Sequence, residues 1–108
     1  PIQCEYFALE GVSLLTKNIK KIKKSLNPDI DIEGILLTML DARTNLGVQV
    51  VEEVKSCFPG KVYASIIPRN VRLSEAPSYG QPINVYDASS KGAEAYKSLA
   101  EEVIMLNE

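Results

Sequence analysis

Hydrophobic residues recur every three or four positions in the segment from Glu5 to Ser25. The members of this face are Ala8, Val12, Leu15, Ile19, Ile22 and Leu26. Such spacing predicts an amphipathic helix that buries one side. We expect the helix to end near Asn27-Pro28, because a proline disfavours the helical conformation of the residue before it.

The next segments predict a strand followed by a second helix. Residues Ile30–Leu40 are almost continuously apolar, which is typical of a strand buried on both faces of a parallel sheet. Asn45 is the predicted N-cap of the helix, and Pro59-Gly60 should end it. The apolar positions of this helix are Leu46, Val50, Val51, Val54 and Cys57.

The last part of the chain predicts a short strand, a long loop and a helix. The strand is Val62–Ile67, with Pro68 at its end, and Arg69–Ser90 is predicted to be irregular because Pro77, Gly80 and Pro82 interrupt it. The final helix should start near Ser90 and run to about Leu106. Its inward positions are predicted to be Ala93, Tyr96, Leu99, Ala100, Val103 and Ile104.

Strands that alternate with helices predict an α/β fold with a parallel sheet. Ligands of such sheets bind at the carboxyl ends of the strands, which here are residues 1–5, 38–45 and 68–80. The length of 108 residues suits one domain. Because Pro1-Ile2-Gln3 has the pattern of a strand end, we expect the chain to be part of a longer protein.

Composition excludes several classes of function. The net charge of −2 gives no overall attraction to nucleic acid, so any DNA contact must come from a local patch. The absence of histidine removes histidine-based acid–base catalysis and the commonest metal ligands. The two cysteines, Cys4 and Cys57, are expected to be reduced thiols of a cytoplasmic protein.

No catalytic motif is recognisable in the chain. The only Gly-Lys pair is Gly60-Lys61, but Lys55 replaces the first glycine of a phosphate-binding loop, and Val62 replaces the Ser or Thr that would follow the lysine. No serine lies in a GxSxG context. We therefore read Gly60-Lys61 as a turn.

Four segments resemble one family, the ParA/Soj partitioning ATPases. The matching segments, in order, are residues 1–11 (PIQCEYFALEG), 34–46 (GILLTMLDARTNL), 67–80 (IPRNVRLSEAPSYG) and 90–96 (SKGAEAY). The resemblance implies a P-loop NTPase-type parallel sheet with helices on both faces. This chain would be its C-terminal subdomain, spanning residues 1–108 without the half that carries the phosphate-binding loop.

The resemblance also implies a function in chromosome or plasmid partitioning. ParA/Soj proteins bind ATP and Mg²⁺, dimerise, bind DNA without sequence preference, and respond to a centromere-binding partner of the ParB/Spo0J type. The segment alone should be inactive as an ATPase and should hold neither ATP nor Mg²⁺ tightly. The parent protein would be cytoplasmic and nucleoid-associated, without a stable membrane anchor.

Site residues follow from the matched positions. The resemblance implies DNA contacts at Arg43 and Arg72, where a guanidinium can fork onto a phosphate; the alternative is that each arginine pairs with a neighbour such as Asp41 or Glu75. The adenine-side candidates are Thr38, Met39, Pro68, Arg69 and Asn70. In the alternative interpretation, Pro68 only terminates a strand and Asn70 only forms a turn.

Two other functions remain open from the sequence. The first is a free-standing α/β interaction module without a nucleotide, and the second is a MinD-like, membrane-associated ATPase. The lysines on the polar face of the first helix (Lys17, Lys20, Lys21 and Lys24) bear on the choice, because they can contact phosphate or an acidic membrane. A solvated outer face is the simpler interpretation of these lysines.

Overall fold

The computed structural model describes residues 1–4 and 8–108, and for Ala8 and Leu9 it describes the backbone only. The elements alternate between strand and helix in the first half of the chain and are helical in the second half. They are β1 (Ile2–Gln3), α1 (Ala8–Ser25), β2 (Leu37–Thr38), α2 (Asn45–Cys57), α3 (Val71–Glu75), a 3-10 turn (Ala76–Tyr79), α4 (Ile83–Tyr86) and α5 (Lys91–Leu106). The predicted α/β class is confirmed, with a small parallel sheet.

The sheet is built around β2. β1 pairs with it in parallel, with Ile2 opposite Leu37 and Gln3 opposite Thr38. On the other side lies a segment of residues 62–68, which we call the third segment. It meets the chain around β2 through two parallel bridges, Ile35–Val62 and Leu40–Pro68. The strands are shorter than the predicted runs Ile30–Leu40 and Val62–Ile67.

The third segment departs from a regular strand in its middle. The N–H of Tyr63 donates to the Ile35 carbonyl at 2.9 Å, and the next such bond runs from the Ile67 N–H to the Leu37 carbonyl, also at 2.9 Å. Four residues therefore advance where the partner advances two, so two extra residues bulge out. The continuous strand predicted over Val62–Ile67 is wrong in this detail.

The core lies between the sheet and the first two helices. Its buried members are Cys4, Ile35, Leu37, Val50 and Val54. Helix α1 packs against α2 and β1. Val12, Ile19 and Ile22 of the predicted apolar face are half-buried, whereas Leu15 and Leu26 are 57% and 81% exposed. The prediction for those two leucines is wrong, because α2 and β1 cover only part of the face.

The observed starts of the helices can be compared with those that the sequence predicts. Thr44, not Asn45, is the N-cap of α2, because its backbone is extended and its hydroxyl accepts from the Gly47 N–H at 3.1 Å. The last helix starts near Ser90 as the sequence predicts: Ser90 is the N-cap of α5, and its hydroxyl accepts from the Ala93 N–H at 3.1 Å. The predicted start of the first helix at Glu5 lies outside the described residues.

Residues 69–90 are mostly helical, so the prediction of an irregular segment is wrong. The proline and glycine that interrupt the sequence pattern mark the ends of short helices. Pro77 lies in the first turn of the 3-10 segment, and Gly80 ends that segment with φ 64°, a conformation that glycine adopts easily. On α5, Ala93 is buried and Leu99 and Val103 are half-buried. The inward positions predicted at Tyr96, Ala100 and Ile104 are wrong, because these residues are exposed.

Candidate functional site

The carboxyl ends of β2 and the third segment lie side by side. The N–H of Leu40 donates to the Ile67 carbonyl at 3.2 Å, and the N–H of Arg69 donates to the Leu40 carbonyl at 2.9 Å. The two loops that leave these strands therefore start from the same edge of the sheet. This is the edge at which parallel α/β sheets bind ligands.

An open groove of about 340 Å³ lies at this edge. All five residues predicted for the adenine side line it: Thr38, Met39, Pro68, Arg69 and Asn70. The groove has five further lining residues that the sequence reasoning missed, namely Pro1, Ile67, Leu73, Ser74 and Tyr96. The strand order accounts for Pro1 and Ile67, but Tyr96 comes from α5, whose packing the sequence pattern does not specify.

The side chain of Asn70 has an incomplete set of hydrogen bonds in the groove. Its side-chain oxygen Oδ1 is buried and has no hydrogen-bond partner among the described residues. The residue stands at the N-cap position of α3, yet its side chain makes no capping hydrogen bond. Buried polar atoms are almost always paired, so an unpaired acceptor at a groove indicates a missing donor. An exocyclic amino group, such as that of adenine, is a donor of this kind.

Met39 has an unusual backbone at the end of β2. Its φ is 54°, in the left-handed region that non-glycine residues rarely adopt. Conformations of this kind cluster at binding sites, where the surrounding structure holds them in place. The neighbouring Thr38 hydroxyl donates to the Ile2 carbonyl at 3.4 Å, so it is tied to β1. The strained residue therefore sits in the wall of the groove beside a fixed strand.

Arg43 forms a forked ion pair with Asp41. Its Nε lies 3.0 Å from Oδ1 and its Nη2 lies 3.1 Å from Oδ2 of that carboxylate. The side-chain hydrogen bonds from Arg43 lower the pKa of Asp41. The arginine side chain is nevertheless 90% exposed. The pairing raised as an alternative from the sequence is present, and the guanidinium remains accessible to a phosphate.

Arg72 lies on α3 between two carboxylates. Its Nη1 is 3.2 Å from Oε2 of Glu75, and its Nε is 3.3 Å from Oδ2 of Asp87. A hydrogen bond with Tyr86, together with these carboxylates, raises the pKa of the guanidinium above its ordinary value. Its side chain is 55% exposed. Arg72 is thus more constrained than Arg43.

The surroundings of Arg72 include residues that the sequence reasoning did not assign. The Tyr86 hydroxyl donates to Oε2 of Glu75 at 2.6 Å, and the rings of Tyr79 and Tyr86 stack with centroids 5.1 Å apart. A Cβ added to Gly92 of α5 would clash with the side chain of Leu73. The absence of a side chain at Gly92 therefore lets α3, which carries Arg72, lie close against α5.

Neither a metal-binding cluster nor a membrane-spanning helix is found in the described part of the chain. Within residues 1–4 and 8–108, no group of three or more histidine, cysteine, aspartate or glutamate side chains is arranged to hold a metal ion. The helices in the same part of the chain are too short or too polar to cross a membrane.

Comparison with known proteins gives a consistent result. Residues 5–83 match the family model described as CobQ/CobB/MinD/ParA nucleotide binding domain. The chain is 64% identical over 103 residues to the sporulation initiation inhibitor protein Soj of Bacillus subtilis. It is 57% identical to the chromosome partitioning protein ParA of Myxococcus xanthus and 52% identical to the chromosome-partitioning ATPase Soj of Treponema pallidum, each over 104 residues.

These matches cover most of this chain but less than half of each relative. They include 95% or 96% of the chain, but 41%, 37% and 41% of the three relatives respectively. The chain thus spans about two fifths of the length of the relatives it matches. The chain belongs to the CobQ/CobB/MinD/ParA family of nucleotide-binding domains, and its resemblance to the ParA/Soj proteins is confirmed.

Proposed function

We propose that this chain forms part of a ParA/Soj-type ATPase that partitions chromosomes or plasmids. The observation that carries the proposal is the 64% identity to a Soj protein across 95% of the chain. Two of the three relatives reported above are named as chromosome-partitioning proteins. A free-standing interaction module and a MinD-like membrane ATPase are therefore less well supported.

The groove at the sheet edge would hold the adenine base of ATP. Thr38, Met39, Pro68, Arg69 and Asn70 line it together, and the unpaired Oδ1 of Asn70 would accept from the amino group. The phosphates and Mg²⁺ need a glycine-rich loop with its lysine and Ser or Thr, which the sequence of this chain does not contain. These 108 residues would therefore contribute to ATP binding without hydrolysing ATP themselves.

Arg43 and Arg72 would contact DNA phosphates. Both lie in segments that leave the same sheet edge, and both side chains are more than half exposed. Each guanidinium can exchange a surface carboxylate for a phosphate, because exposed ion pairs contribute little free energy. Two such contacts per protomer, doubled in a homodimer, give binding without base readout. A ParB-type centromere-binding protein would be the partner.

The test is DNA binding by the intact protein that contains this chain, with Arg43→Ala and Arg72→Ala. Each variant should weaken binding about equally across sequences and reduce the slope of log affinity against log salt by about 1. ATP binding should be unchanged. Lys55→Ala, which removes an exposed charge from α2, is the matched control. Normal DNA binding by both arginine variants at physiological salt would show that this assignment is wrong.

A further inference from the structure

Positive charge is concentrated on α1. The helix contains five lysines and one glutamate, so it carries a net charge of +4, whereas the whole chain carries −2. The remaining residues together therefore carry −6. A local field of this sign on an acidic chain can bind an anionic partner that the chain as a whole would repel.

Four of these lysines share one face, which we call the lysine face: Lys17, Lys20, Lys21 and Lys24. At about 100° per residue they fall within an arc of about 100°, and they span about 10 Å along the helix. All four side chains belong to exposed residues. The fifth, Lys23, lies outside this arc on the helix; after the Ile32 N–H, it is the main group that lowers the pKa of Asp31.

Neighbouring carboxylates do not neutralise the lysine face. Among residues 1–4 and 8–108, none of the four lysines lies within ion-pair distance of a carboxylate. Glu53 lines the same groove as Lys17 and Lys20 but forms no such contact with them. The face therefore presents four charges whose counterions must come from solvent or from a partner.

Only one residue of the lysine face, Lys24, is placed to stabilise the helix through its dipole. Lysines in the last turn interact favourably with the helix dipole, which accounts for Lys23 and Lys24 only. The pairs Lys17–Lys21 and Lys20–Lys24 are like charges four residues apart, and such pairs destabilise a helix. Folding stability alone therefore does not explain why these positions are all lysine.

We propose that the lysine face is a second DNA-binding surface of the protein. Duplex DNA carries one negative charge per about 1.7 Å of its axis, both strands counted, so a length of about 10 Å carries about six phosphate charges and presents some of them to the lysine face. Lysine binds phosphate as a point charge, which gives attraction without base readout. Val12, Ile19 and Ile22 are packed in the fold and cannot insert into an acidic membrane, but Leu14 and Leu15 of the same helix are more than half exposed, so membrane binding is the alternative outcome of the test.

The lysine face is separate from the arginine loops. Because β1 and β2 are parallel, α1 must run back from the carboxyl edge of the sheet to the opposite edge. The lysines lie about 13–24 Å along the helix from its start at Ala8. The inference rests on the proposed DNA binding, but it assigns a surface at the other end of the sheet. Contributions from such distant sites should add.

The experiment compares two triple variants of the intact protein that contains this chain. Lys20/Lys21/Lys24→Gln removes three charges from the lysine face, and Lys55/Lys91/Lys97→Gln removes three exposed charges elsewhere. Binding to random-sequence duplex DNA is measured with ATP across a salt series. The first variant should lose about tenfold in affinity at low salt and flatten the salt slope by about 2–3, whereas the control should keep its slope. Circular dichroism should show that the helix is retained.

Parallel measurements separate this inference from the proposed function. If Arg43→Ala/Arg72→Ala loses DNA binding while the lysine variant binds normally, the lysine face is not a DNA surface and the proposed function stands. If only the lysine variant loses binding, the arginine assignment is wrong and this inference holds. An equal loss in the lysine control would also overturn it. So would loss of binding to phosphatidylserine vesicles with DNA binding unchanged, which would identify a membrane surface.

Discussion

Asn70 is the residue at which burial and hydrogen bonding conflict. Its Oδ1 is buried, and among the described residues it has no partner. An unsatisfied buried acceptor costs about 1–3 kcal/mol, and a residue that did nothing but terminate a turn would not need to bear that cost. The groove around it is lined by residues from two adjacent strand ends, so a ligand donor can reach the oxygen.

Replacing Asn70 by leucine should separate binding from stability. Asn70→Leu keeps a similar volume but removes the acceptor, so the intact protein should lose about 1–3 kcal/mol of ATP binding while its melting temperature holds or rises. Inosine triphosphate, which has a carbonyl in place of the amino group, should bind the unaltered protein more weakly than ATP. The Asn70→Leu variant should lose that preference. An unchanged ratio of the two affinities, measured by calorimetry, would rule out this contact.

The sequence predicts some of these residue-level arrangements and not others. That Thr38 and Arg69 share a groove follows from the meeting of parallel strand ends at one edge. The Arg72–Glu75 ion pair can also be predicted from the sequence, because residues three apart on a helix are neighbours. The contacts of Asp87 with Arg72 and of Tyr86 with Glu75 cannot be predicted from the sequence. They depend on how three short helical segments fold back between residues 71 and 86.

At the scale of elements, the bulge in the third segment is held by a distant helix. Glu102 of α5 accepts the N–H groups of Ala64 at 2.7 Å and Ser65 at 2.8 Å through its two carboxylate oxygens. These donors would otherwise belong to a strand ladder. Burial pushes the pKa of Glu102 up, but the hydrogen bonds from Ser65 and Ala64 outweigh it and lower the pKa. The carboxylate thus joins α5 to the sheet edge.

Glu102→Gln should loosen this connection. A glutamine has one carbonyl oxygen and no charge, so the bulge should lose about 1–3 kcal/mol of local stability. Amide hydrogen exchange should become about tenfold to a hundredfold faster at Ala64 and Ser65. Glu101→Gln, at an exposed neighbouring position, removes the same charge and should leave the exchange unchanged. Equal exchange rates in both variants would show that the carboxylate does not hold the bulge.

The same contact has a defined pH dependence. The pKa of Glu102 lies below its ordinary value of 4.5, so its contribution is present above that pH. The contribution is lost as the pH falls through the lowered pKa of the folded protein, because protonation then removes the charge that accepts both N–H groups. Exchange at Ala64 and Ser65 should therefore show an acid-side loss of protection that the Glu102→Gln variant lacks.

Elements with strong local signals are the ones that the sequence predicts well. Helix α5 has a capping serine and sixteen residues of amphipathic pattern, and it is found where expected. Helices α3 and α4 have five and four residues, too few for a period of 3.6 to be visible. The bulge also cannot be predicted from the local sequence, because Glu102, which accepts its N–H groups, lies 37 residues beyond Ser65.

At the scale of the whole molecule, the chain exposes more surface than a compact monomer of its size. Its accessible surface is 7796 Å², whereas a monomer of 11.9 kDa exposes about 5,900 Å². Its radius of gyration is 15.4 Å, against about 13 Å for a compact domain of 108 residues. Part of the excess is apolar and lies on α1 and at the end of α5, where Leu14, Leu15, Ile104, Met105 and Leu106 are each more than half exposed.

We expect the 108 residues, prepared alone, to be marginally stable or to self-associate. Exposed leucines on α1 and the two-residue strands of the sheet leave apolar surface and unpaired backbone groups that a second copy can cover. Sedimentation and light scattering over a concentration series should show association, and the melting temperature should rise with concentration. Leu15→Gln/Leu26→Gln should shift the chain towards monomer without lowering its stability, because both side chains are exposed. A monomer with a high, concentration-independent melting temperature would mean that this surface needs no partner, and the exposed leucines would then have no role in assembly.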